Sequence, residues 1–147
     1  ILLEVVESVQ RVWPQNLPLL VRISATDWVE NGWNAEETIK LSAVLKKLGV
    51  ALIDCSTGGL VPHVKIPVAP GYQVAFAERI KNETGILTGA VGLITDARQA
   101  EAILDNNRAD LVLIARASLR DPQFALHAAH VLEEDVAWPV QYVRAKP

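Results

Sequence analysis

The chain has 147 residues, half of them hydrophobic, and a formal net charge of −3 at pH 7. That is enough apolar material for one ordinary domain, and its dispersed Lys and Arg exclude the basic footprint of a nucleic-acid or anionic-membrane binder. One cysteine excludes an internal disulfide framework and points to a reducing, cytoplasmic setting, and no apolar run reaches the roughly 18–20 residues of a membrane-spanning helix.

The chain opens on Ile1-Leu2-Leu3-Glu4-Val5-Val6, already inside a helical pattern, and contains no methionine. No basic segment precedes this run, so it does not read as a signal peptide. The expectation is a piece of something longer. A first helix is expected from Ile1 to about Val12, stopped at Trp13-Pro14. A strand follows over Leu19–Ser24. The next helix opens at Asn34, with Glu37 as capping-box partner and Leu41, Val44, Leu45 and Leu48 as its apolar face, and ends at Gly49.

The second strand is Ala51–Ser56. A loop with three prolines, at 62, 67 and 70, leads to a helix from about Tyr72 to Lys81. The third strand is Ile86–Val91. Asp96 caps a helix carrying Ala100, Ile103 and Leu104, with Gln99 as box partner. The fourth strand is Leu111–Ala115. Asp121, with Pro122 at the first helical position, opens a last helix running to about Leu132, and the tail from Ala137 to Pro147 shows little periodicity.

The order is thus one helix followed by four βα units. The strands are short continuous apolar runs, which suit parallel strands buried on both faces. No domain boundary or low-complexity stretch interrupts residues 1–147. Four βα units make half of a (β/α)8 barrel; a small open α/β sandwich is the alternative. Two strand ends carry chemistry. Thr88-Gly89-Ala90-Val91-Gly92 closes the third strand and Ala115-Arg116 the fourth. Glycine lets backbone N–H groups approach an anion, and arginine supplies a planar, always-charged fork. In a βα barrel, the loops after strands 7 and 8 are a frequent phosphate site.

Val21-Arg22-Ile23-Ser24-Ala25-Thr26-Asp27, Leu52-Ile53-Asp54-Cys55-Ser56, Pro70-Gly71-Tyr72-Gln73, Thr88 to Gly92, Ala109 to Arg116, Leu119-Arg120-Asp121-Pro122 and Pro139-Val140-Gln141-Tyr142-Val143-Arg144 occur in this order. Any one of them is weak; the ordered set resembles the Old Yellow Enzyme family, in its bacterial, thermophilic-like branch of flavin-dependent ene-reductases. The resemblance covers nearly the whole chain. It implies the second half, strands 5 to 8, of an FMN-binding (β/α)8 barrel with the N-terminal half-barrel absent.

The resemblance also implies roles. Arg22, at the end of strand 5, would face the flavin N1 side and favour negative charge on the reduced ring; the other reading of Arg22 is a structural ion pair. Gly92 and Arg116, with backbone from Val91 and Ala115, would cradle the FMN phosphate. The family commonly has Gly where Ala115 stands. For Gly89 and Gly92 the alternative is a tight strand-to-helix turn. Ser56 is a cofactor-side candidate or a turn-forming serine. Arg144 would reach the flavin site of a neighbouring subunit in a homo-oligomer, and Trp138 would line that subunit's substrate pocket; otherwise both belong to an ordinary packed or exposed tail. His63, in the loop after strand 6, is substrate-proximal or simply a loop histidine.

The family's carbonyl-binding pair lies on strand 4 and its tyrosine proton donor and flavin-side cysteine lie earlier, so no catalytic residue is expected in this half. Cys55 reads as a buried small hydrophobe. His127 and His130 share a helix face but lack a third ligand, and no metal is expected. The complete enzyme would use NAD(P)H and FMN to reduce an activated alkene such as an enone. The alternative is a non-catalytic half-barrel that binds FMN or another phosphate-bearing ligand and dimerises.

Overall fold

The computed structural model describes residues 1–147. Helix α1 (Leu2–Gln10) precedes strand β1 (Leu20–Ser24), helix α2 (Ala35–Lys47), strand β2 (Leu52–Ser56), helix α3 (Val74–Thr84), strand β3 (Leu87–Ala90) and helix α4 (Ala97–Asp105). Strand β4 (Leu111–Val112) follows, then helix α5 (Arg116–Arg120), helix α6 (Phe124–Val131) and a 3-10 helix at Val140–Ala145. The strands form one sheet in the order β1-β2-β3-β4, every neighbouring pair parallel.

Sequential order with right-handed crossovers puts every helix on the same face of the sheet. The side-chain alternation agrees. Val21, Ile53, Cys55, Thr88 and Ala90 are buried on the helix side. Leu20, Leu87 and Leu111, on the opposite face, are each about half exposed. A sheet covered on one face only, with consecutive parallel strands, is half of a (β/α)8 barrel, and an open sandwich with helices on both faces is excluded. The expectation of strands buried on both faces therefore fails for the inward face, where the other half of a barrel would lie.

A cluster of 15 buried residues lies between sheet and helices, among them Val6, Leu45, Ile53, Val74, Ile80, Ile86 and Ile103. Asn34 and Glu37 form the expected capping box on α2. The buried stripe of α2 is rotated from the one expected. Thr38, Ser42 and Leu45 face the core while Val44 is exposed, because Thr38 donates to Ala25 O at 3.0 Å and Ser42 to Thr38 O at 2.8 Å. Hydroxyls satisfied in this way tolerate burial. Gly85 ends α3 in a left-handed conformation at φ 64°. Asp96 caps α4 by accepting from Gln99 N at 2.9 Å, and Gln99 Oε1 accepts from Thr95 N.

The C-terminal third departs most from expectation. Strand β4 is two residues rather than five, and the chain turns after Leu113 into the unexpected α5. The last helix starts at Phe124, two residues beyond Pro122, because Asp121 accepts from Gln123 N in a tight turn before it. Leu104, expected on the apolar face of its helix, is 36% exposed. No helix is long and apolar enough to cross a membrane.

Candidate functional site

All four strands run parallel, so their C-terminal ends lie along one edge of the sheet. A cavity of about 270 Å³ opens there. Its walls include Arg22, Ser56, Val91, Gly92, Ala115 and Arg116, so six of the seven positions expected to hold a cofactor meet in one place. Arg22 and Ser56 arrive on the inward faces of β1 and β2. Val91 and Gly92 follow β3, and Ala115 and Arg116 begin α5.

The loop after β3 is built to present backbone donors. Val91 O accepts from Gln73 Nε2 at 3.1 Å, and Gly92 O accepts from Gly71 N at 2.8 Å. A trans peptide points its N–H opposite its C=O. Tethering these carbonyls therefore turns the Gly92 and Leu93 N–H groups the other way, and neither finds an acceptor in the protein. The N–H groups of Arg116 and Ala117, in the first turn of α5, are also free. Gly92 has φ +125°, and a Cβ there would sit 3.0 Å from Gln73 Nε2 and 3.1 Å from Tyr72 Cε1. Only glycine fits that backbone and that space. Ala115 has a negative φ of −115°, so the left-handed freedom of a glycine is not what this position uses.

Gly89 has a different role from either reading of the sequence. It lies inside β3, paired with Asp54 and Leu111, and a Cβ would collide with Leu113 Cδ1 at 2.5 Å. It makes room for Leu113 within the strand, lies before the turn and does not line the cavity.

The charge on the cavity wall is one-sided. Arg22, Arg116 and Arg120 line it, and no carboxylate does. Arg116 and Arg120 make no ion pair, whereas Arg22 Nη1 lies 3.4 Å from Asp54 Oδ2. Arg22 is thus both ion-paired and cavity-lining. Burial raises the Asp54 carboxyl above its ordinary value, against the opposing pull of Arg22. Burial, and secondarily the Asp54 charge, pushes the Cys55 thiol up to about 12. Cys55 is fully buried on the helix side.

The remaining expected positions lie elsewhere. Arg144 is exposed on the terminal 3-10 helix and Trp138 precedes it, both away from the cavity within this chain. His63 is exposed in the long loop after β2, at φ 64°. His127 Nδ1 lies 2.7 Å from Asp121 Oδ2, so a carboxylate does stand beside that histidine, yet no three His, Cys, Asp or Glu side chains gather as a metal site.

Three contributors escape a reading of the sequence. Gln73 is buried and is itself held by Thr57 Oγ1, which donates to Gln73 Oε1 at 2.7 Å. Polar residues in loops leave no periodic trace. Arg120 stands four residues after Arg116, a spacing that marks one helix face once α5 is recognised.

The donor set suits a phosphate. Free N–H groups at a glycine loop, further N–H groups at a helix start and unpaired guanidinium forks are the groups that hold a dianion. These residues fit the phosphate of a nucleotide-type cofactor, and Arg22 lines the same cavity from β1, at the other edge of the sheet from β4 and α5.

Residues 1–135 match the model of the NADH:flavin oxidoreductase / NADH oxidase family. The chain is 51% identical over 142 residues to an NADPH dehydrogenase of Bacillus velezensis, covering 97% of this chain and 41% of that protein. It is 50% identical over 145 residues to one from Listeria innocua (99% of this chain, 42% of the relative) and 49% identical over 141 residues to one from Bacillus subtilis (96% and 41%). The chain therefore spans about two fifths of the length of these relatives. Among solved structures, a 2-naphthoyl-CoA reductase in complex with 2-naphthoyl-CoA superposes with a TM-score of 0.74 at 22% identity, over 90% of this chain and 21% of that one. That likeness concerns the fold.

Proposed function

The chain belongs to the NADH:flavin oxidoreductase / NADH oxidase family, and from that premise we propose that residues 1–147 are the C-terminal half of the FMN-binding barrel of an NAD(P)H-dependent ene-reductase. What supports this reading most is the convergence of Arg22, Ser56, Gly92 and Arg116 on one cavity whose backbone donors are unused. FMN, when bound, supplies hydride transfer from NAD(P)H to the β-carbon of an activated alkene such as an enone.

This chain's residues would bind and orient. Gly92 and Leu93 N–H, the start of α5 and the Arg116 side chain would hold the phosphate. Ser56 and the backbone of Val91 and Ala115 would complete that wall. Arg22 would place a fixed cation towards the flavin ring and favour negative charge there. Arg144 and Trp138, carried on the exposed tail, would serve a neighbouring subunit of a homo-oligomer, and His63 would lie on the substrate side. The carbonyl-binding and proton-donating groups would come from the absent N-terminal half-barrel. A cytoplasmic setting fits the single free thiol.

The test uses the full-length protein that contains this segment. It should purify with a flavin absorbance spectrum, release FMN on denaturation and oxidise NADPH when an enone is supplied. Flavin bound without enone-dependent oxidation would favour a non-catalytic flavin-binding protein. No flavin at all would defeat the proposal.

A further inference from the structure

Three arginines line the cavity, and they are not equivalent. Arg116 and Arg120, on α5, have no carboxylate partner, while Arg22 has Asp54. A phosphate carries nearly two negative charges and can use two free guanidinium groups. The opposite end would meet a ring that gains negative charge only on reduction, and there the cation is already partly offset.

The pairing is imposed by the sheet. Arg22 and Asp54 are register partners in the parallel β1–β2 ladder, so both side chains leave on the inward face. Below them on that face lie Leu20, Leu52 and Leu87, also in register. Asp54 is only 7% exposed, Oδ2 faces Arg22, and Oδ1 is buried without any hydrogen-bond partner. A carboxylate with one unsatisfied oxygen is an expensive occupant of such a layer. Its charge, rather than its packing, is what the position uses. Asp54 does not line the cavity, so it acts through Arg22.

We propose that Asp54 is a positioning residue for Arg22, holding the guanidinium at the ring end of the cavity and offsetting part of its charge. It thereby sets how strongly the site prefers reduced over oxidised flavin. This rests on the FMN reading above. Asp54 contributes no proton and touches no reacting atom.

The experiment compares the full-length protein with its Asp54→Asn, Arg22→Gln and doubly substituted forms, reading the midpoint potential of bound FMN in dye-equilibrated reductive titrations. Asp54→Asn keeps the side-chain shape and removes the offsetting charge. It should favour the reduced flavin by roughly tenfold, an upward shift of about 30 mV for a two-electron couple. Arg22→Gln should shift the potential down, and the double substitution should match Arg22→Gln alone, because Asp54 acts through Arg22. A merely structural carboxylate would lower melting temperature and leave the potential in place. An unchanged potential in flavin-loaded Asp54→Asn, or an equal shift in the Arg22→Gln background, overturns this inference alone. A full-length parent that binds no FMN overturns the functional reading with it. If Asp54→Asn does not retain flavin, Asp54→Ser, a smaller uncharged side chain, is read in the same titration; it should give the same upward shift, and an unchanged potential overturns the inference.

Discussion

Gly92 holds its conformation because nothing larger fits: φ is +125°, and Gln73 and Tyr72 stand where a Cβ would go. Gly92→Ala should cost about 1–2 kcal/mol of strain at the loop. With the Leu93 amide displaced, FMN affinity measured by fluorescence quenching should fall by roughly tenfold. Cys55 makes an opposite prediction, that of inertness. Its thiol is pushed from 9.0 to about 12, so at pH 8 it should resist alkylation until the protein unfolds. The folded state holds this proton more tightly than the unfolded one. Cys55 therefore contributes a stability term present below pH 9 that is lost as pH rises towards 12, and Cys55→Ser should flatten that part of a denaturation-versus-pH curve. At this scale the meeting of Arg22, Gly92 and Arg116 in one cavity was legible, because each ends or follows an apolar strand in a parallel βα order. Gln73 and Asp54 were not. The first is recognisable only once Thr57 and Val91 surround it, and the second only once the register sets it beside Arg22.

Among the elements, those with strong local signals formed where expected. The Asn34–Glu37 box starts α2, Asp96 starts α4, and Gly49, at φ 85°, follows the end of α2. Asn34→Ala should therefore cost about 1 kcal/mol, seen as a lowered denaturation midpoint with unchanged slope. The misread elements are those decided by tertiary contact. The run Leu111 to Ala115 looks like one strand, yet only Gly89 and Ala90 offer β4 ladder partners before the chain must turn to deliver Arg116 to the cavity. Apolar periodicity also placed Val44 in the core of α2. The structure gives that face to Thr38 and Ser42, whose hydroxyls are satisfied by backbone carbonyls, an arrangement invisible to a hydrophobic pattern.

For the molecule as a whole, the inward face of the sheet defines what is incomplete. Leu20, Leu87 and Leu111 are half exposed in a sheet whose other face is fully covered by helices, and β1 and β4 each have an unpaired edge. Such edges and apolar rows invite another chain. Expressed alone, residues 1–147 should self-associate and bind a hydrophobic dye, and a co-expressed N-terminal half-barrel should suppress both. The βα order was readable because each unit repeats a strand, a crossover and a helix. The uncovered face was not, since an apolar strand looks the same whichever half of a barrel is present. The central claim is that the free amides of Gly92 and Leu93, with Arg116, form a phosphate cradle. It is tested most directly by comparing FMN with riboflavin in the full-length protein by titration calorimetry. The cradle predicts that FMN binds at least roughly tenfold more tightly, and that Arg116→Gln removes most of that difference while leaving riboflavin affinity unchanged. Equal affinities for the two flavins, or a difference that survives Arg116→Gln intact, would contradict it.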